Sequence, residues 1–178
     1  METTLPWIEA ALLAACLLTL LYAAYSDVRH LEVANSVSIV LVILFFPTAW
    51  IFDLDLSTVG IHIAVALGVL IVGFGLFSLG LTGGADAKML AAASLWVGFA
   101  GLSRLLILMA LIGGALAILV LIARALARSS AAERFPWLAD GRWRDAPIPY
   151  CVAISIATIL SLPSAGFVPS LIRDQAGW

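Results

Sequence analysis

Long apolar runs follow one another along this chain, and nearly every charge is pushed into the short stretches between them. Hydrophobic residues make up 63% of the sequence and charged residues 11%. A soluble domain carries about 45–50% apolar and about 25% charged residues. The excess is too large to hide in one core, so part of the surrounding solvent must be lipid. The expected fold is all-α: a polytopic integral membrane protein, with residues 1–178 forming a single membrane-embedded domain and no soluble one.

About six crossings can be drawn at roughly 20 apolar residues each. They run from about Trp7 to Tyr25, Val37 to Phe52, Val59 to Leu81, Lys88 to Leu102, Leu105 to Ile122 and Ile148 to Leu162. Cationic residues in short loops set orientation. If the N-terminus is outside, one face collects Arg29, Lys88, Arg124, Arg128, Arg134, Arg142 and Arg144, and the other keeps Arg104 and Arg173 beside Asp53 and Asp55. That bias places both termini outside the cytoplasm. Glycines 68, 73, 75, 80, 98, 113 and 114 enrich spans three to five and predict close helix packing, because small residues let backbones approach in lipid. The 124–146 stretch, with Pro136, Trp137 and Trp143, reads as an interfacial connector, and the tail around Pro169 is too broken to span again.

Several functions are set aside by composition. A net charge of −2 without a basic patch argues against nucleic acid as a partner. Cys16 and Cys151 lie far apart in apolar segments and read as buried thiols. No CxxC pair or His/Cys/carboxylate cluster at metal-ligand spacing occurs, so neither metal nor cofactor is expected. The N-terminus lacks the positive charge that opens a cleaved signal peptide and reads as a retained first helix.

Ionisable groups at membrane depth are costly and therefore draw interest. Two carboxylates press against spans on the face predicted to be cytoplasmic: Asp27 in "YAAYSDVRHLEVANSVSI" and Asp86 in "LTGGADAKML". Only 17 residues separate Asp86 from Arg104. As one crossing this stretch covers about 25 Å, short of a hydrocarbon core of about 30 Å, which draws Asp86 slightly inward. Structural readings exist for both. Asp27 can pair with Arg29 at the interface, and Asp86 can be the N-cap of the fourth helix, with Gly83 and Gly84 as a turn and Lys88 as a topology-setting cation. The chemical reading is an aspartate pair sharing one proton, one member activating water and the other protonating the scissile amide. His30 and His62 stand in no visible relation to a Ser or Cys nucleophile, and His62 reads as a packed or hydrogen-bonded residue of span three.

Three stretches carry a family resemblance. "YSDVRHLEVANSVSI" is similar to the segment in which the prepilin peptidases (type IV leader peptidases) place an Asp, a basic stretch and Ile-Pro-Asn. "GGADAKML" is similar to their Gly-x-Gly-Asp-x-Lys motif, and "APIPYCVAISIA" resembles the proline-led opening of their last helix. The resemblance implies an aspartic endopeptidase of the bacterial inner membrane with catalytic Asp27 and Asp86, acting at the cytoplasmic face. It would cut the leader from prepilin-like substrates, with a pilus assembly machinery as a further partner. Asn35 and Lys88 fall on positions that accompany the aspartates, Lys88 either tuning the pair, binding substrate or setting topology. Gly83 and Gly84 would let backbone approach the substrate. The chain departs at Ala85, which replaces the second motif glycine, and at Val33-Ala34, which replaces Ile-Pro. It also lacks the cysteine-rich insertion of larger methylating members, so it resembles the compact forms that serve tight-adherence (Flp-type) pili. The rival expectation is a non-catalytic membrane scaffold for pilus or secretion assembly.

Overall fold

A computed structural model describes residues 6–127 and 148–165. Most of the expected 124–146 connector, with Trp137 and Trp143, lies outside the described residues, as does the tail around Pro169 and Arg173. The order is α1 (Pro6–His30), α2 (Asn35–Ile51), α3 (Leu56–Ser78), α4 (Gly84–Ala127) and α5 (Tyr150–Ser161), followed by a 3₁₀ turn over Leu162–Ala165. No strand occurs among the described residues. Three helices, α1, α3 and α4, are long and apolar enough to cross a membrane, while α2 and α5 are shorter apolar helices. Their outward faces carry Trp50 (85% exposed), Leu56 and Ile71, a surface that suits lipid and not water.

The connections are short because the helix ends cap themselves. At the end of α3 the Leu81 amide bonds to Leu76 O and the Gly80 amide to Phe77 O. With Gly80 at φ 72°, this is the left-handed closure that satisfies the last carbonyls. Gly80 therefore terminates a helix; it does not pack one. Asp53 takes the same place after α2, at φ 52°. Asp55 then opens α3, its carboxylate accepting from the Thr58 amide and from the Ser57 and Thr58 hydroxyls. These exposed donors hold the Asp55 carboxyl down to about 2.

The largest difference from expectation is in α4. The sequence places Arg104 between spans four and five. The 44 residues instead run as two limbs broken at Gly98, whose φ of 61° and ψ of −166° are not helical. A straight helix would set Asp86 and Arg124 about 57 Å apart, yet both line one cavity, together with Leu90 and Met109. The second limb therefore folds back along the first. Arg104 belongs to the second limb and donates to Ser164 Oγ, so Asp86 and Arg104 do not bound a single crossing.

His62 explains where the break falls. A broken turn leaves carbonyls in need of donors, and His62 Nδ1 lies 2.7 Å from Leu95 O. A carbonyl only accepts, so Nδ1 carries the proton. The ring stacks on Phe45 with centroids 5.4 Å apart and lies so close to Gly98 that a Cβ there would be 2.5 Å from Nε2. The expectation of a packed, hydrogen-bonded histidine holds.

The first limb of α4 is the centre of the molecule. It buries Met89, Ala92, Ala93, Trp96 and Val97 and packs against α2, α3 and α5. Trp96 Nε1 donates to Leu41 O across to α2. The glycine stripe is only partly a packing device. A Cβ at Gly73 would lie 3.0 Å from the Ala87 Cβ, and one at Gly113 would lie 3.3 Å from the Tyr150 ring, whereas Gly68, Gly75 and Gly114 face open space.

Candidate active site

One end of the helix array gathers the end of α1, the starts of α2, α4 and α5, and the end of α3. α1 closes just past Asp27, where Leu31 at φ 56° donates its amide to Asp27 O and Ser26 Oγ bonds to Glu32 O. This closure turns the Asp27 side chain inward, 7% exposed. Arg29 lies elsewhere, its guanidinium carbon 5.7 Å from the centre of the Tyr25 ring. Asp27 thus turns away from the interface and caps a helix far along the chain.

That helix is α5. Its N-cap residue is Pro149, which offers no side-chain hydrogen bond, so the first amides need an outside acceptor. Asp27 Oδ2 accepts from the Cys151 amide at 2.7 Å, across 124 residues of sequence. A carboxylate at a helix N-terminus is favoured by the helix dipole as well.

Asp86 reaches the same place from α4. It is the third residue of that helix, with Gly83 at the N-cap, so it is not the capping residue that the sequence allowed. The carboxylate folds back over Gly83, where a Cβ would meet Oδ2 at 2.8 Å. Its other oxygen, Oδ1, lies 3.2 Å from Cys151 Sγ.

The two aspartates therefore converge on one residue, Cys151. Both line a cavity of about 350 Å³ with Glu32, Gly83, Gly84, Ala85 and Cys151. A second cavity, of about 590 Å³, shares Gly83, Asp86 and Ile148 with it and is mostly apolar, with Leu76, Leu90, Met109 and Ile154 in its wall beside Arg124 and Tyr150. Asp86 stands between the two. Such an arrangement can place a water between carboxylates while an extended chain lies across them. Among the described residues no group of three or more His, Cys, Asp or Glu is disposed to hold a metal ion.

Lys88 and Asn35 are brought together, but apart from the aspartates. Lys88 Nζ donates to Asn35 Oδ1 at 3.0 Å, and the pair lines a different cavity, walled by Ile39, Val42 and Phe46 of α2 and Leu67 of α3. Lys88 pins α4 to α2 at this rim. Gly83 and Gly84 do lie at the cavity of the aspartates. Cys151 is the site residue that the sequence did not reveal: a lone buried thiol has no distinguishing pattern, and its partners are remote in the chain.

The two departures from the motif are conformationally mild. Ala85 sits in the first turn of α4 and is absent from the positive-φ positions; alanine is the best helix former. Ala34 adopts φ −63° and ψ 140°, the backbone that proline would impose. No curated protein and no solved structure matches the chain. Residues 14–118 match the type IV leader peptidase family, a stretch that takes in both aspartates, Asn35 and Lys88. The match spans more than half of the 178 residues, its members are membrane-associated peptidases, and the chain belongs to the type IV leader peptidase family.

Proposed function

We propose that the protein is a membrane aspartic endopeptidase, a single membrane-embedded domain in which Asp27 and Asp86 jointly hydrolyse the peptide bond between a prepilin leader and its hydrophobic helix. The observation that carries this reading is the meeting of both carboxylates on Cys151 in one cavity. One carboxylate takes a proton from water as its oxygen attacks the scissile carbonyl. The other gives a proton to the leaving amine as the C–N bond breaks, releasing the leader with a new carboxyl end and the mature chain with a new amino end.

The surroundings suit such a substrate. Among the described residues lining it, the smaller cavity holds Asp27, Glu32 and Asp86 and no cation, which favours a basic leader, and the adjoining larger cavity is mainly apolar. By sequence, the loops predicted to share a side with the aspartates carry most of the cations, a bias that favours a site facing the cytoplasm of a bacterial inner membrane, with both termini outside. Only residues 31–34 join α1 to α2. This leaves no room there for a methyltransferase insertion and favours Flp-type pilins, handed on to a pilus assembly machinery.

The test uses the full chain in detergent or vesicles with a Flp-type prepilin. Asp27→Asn and Asp86→Asn are each expected to lose cleavage by about 10²–10⁴-fold, the usual span for a missing acid or base. A well-folded variant cutting at the wild-type rate would overturn the assignment and favour a scaffold that binds pilin helices without cutting them.

A further inference from the structure

Cys151 occupies the point where the two carboxylates could otherwise drift apart. Asp27 stands on the last turn of α1 and Asp86 on the first turn of α4. α5 packs against both helices, and its second residue touches both acids: the backbone amide donates to Asp27 Oδ2 at 2.7 Å and the thiol donates to Asp86 Oδ1 at 3.2 Å. Cys151 is itself 1% exposed.

We propose, resting on the reading of Asp27 and Asp86 as the catalytic pair, that Cys151 is a positioning residue whose Sγ–H fixes the Asp86 carboxylate against Asp27. Its part is that of a donor and not of a nucleophile. A thiolate at this point would add negative charge beside the carboxylate pair, and the Sγ–H is already directed at Asp86 Oδ1. The amide bond to Asp27 is part of the backbone and survives any substitution. The sulfur bond to Asp86 alone depends on the side chain, so substitution separates the two halves of the bridge. Its loss frees the Asp86 carboxylate to rotate within the cavity, and small misplacements of a catalytic group are costly to rate.

The test compares kcat and KM of the full chain on the prepilin for Cys151→Ala, Cys151→Ser and Cys151→Val. A thiol is a weak donor. Cys151→Ala is expected to lower kcat about three- to tenfold, the range of a modest hydrogen bond, with KM unchanged. Cys151→Ser, which restores a donor, should stay within about twofold of the wild-type kcat, and Cys151→Val, which fills space but donates nothing, should be as slow as Cys151→Ala. Two results would overturn the proposal: Cys151→Ala turning over at the wild-type kcat, or Cys151→Val regaining activity while Cys151→Ser does not. Should Cys151→Ala fold poorly, the contrast between the Ser and Val variants decides alone. If the Asp27→Asn and Asp86→Asn proteins still cleave, the pair assignment falls and this one with it. If they are inactive while Cys151→Ala is unaffected, only the role of Cys151 is lost.

Discussion

Near one end of the helix array His62 lies beneath Gly98; at the other, Asp27 and Asp86 lie around Cys151. Both places bury polar groups, and both set a glycine hard against an ionisable side chain. At Gly98 the space is filled: the imidazole is stacked on Phe45, bonded to Leu95 O and pressed on the glycine backbone. At the aspartates the hydrogen bonds are made, yet the carboxylates still face cavities of about 350 and 590 Å³. The contrast shows that burial alone does not mark a working group in a chain of this kind. His62 closes a broken helix, whereas the aspartates border open space.

The sharpest way to break this comparison is to exchange the expected phenotypes. Asp27→Asn should abolish cleavage by about 10²–10⁴-fold while melting near wild type, because an amide oxygen can still accept from the Cys151 amide. Asp27→Ala removes that acceptor and should also lose about 1 kcal/mol of stability, the usual cost of a missing cap. The cleavage rate of the wild type should fall on both the acid and the alkaline side of an optimum, since one shared proton must be present but not two. A profile flat from acid to strongly alkaline pH would remove acid–base chemistry from these residues.

Gly98→Ala should do the reverse. It forces a Cβ to 2.5 Å from His62 Nε2 at a positive φ. That backbone region, essentially glycine-only, costs about 1–3 kcal/mol and overpacking about 1–3 more. Denaturation should show a loss of several kcal/mol, and Gly98→Ala/His62→Ala should recover the overpacking part only. A Gly98→Ala protein as stable as the wild type would mean that the break is not held by this contact.

Smaller effects sharpen the picture of the helix ends beside each region. Ala34→Pro should stabilise the start of α2 by about 0.4–1 kcal/mol, since φ is already −63° and only the unfolded chain loses freedom; a destabilised variant would show that the Ala34 amide is needed. At the opposite end, the Asp55 carboxyl is held at about 2 from an ordinary 3.8. A lowered folded value gives stability that is present above 3.8 and lost as pH falls through about 2. The melting difference between wild type and Asp55→Ala should shrink over that window, and a difference unchanged at lower pH would contradict the capping role.

The apolar runs made the helices legible, and the two carboxylates stood out because charge is so rare beside them. The break in α4 was not legible, because charge pointed to Arg104 while the turn depends on a glycine required by its own backbone angle and by His62, 36 residues earlier. Asp86 read as a cap because a carboxylate near a helix start usually is one; Gly83 holds the cap with no side chain to announce it. The Lys88–Asn35 bond and the bridge through Cys151 join residues 53, 65 and 124 positions apart. Spacing along one helix cannot report such pairs.

The central claim, that the two carboxylates act as one unit, is tested most directly by single-turnover cleavage in Asp27→Asn, Asp86→Asn and the double variant. Groups that act together lose their function once. The account predicts that the double variant is no slower than the slower single one, within about twofold. Losses that multiply would show two independent contributions and would contradict it.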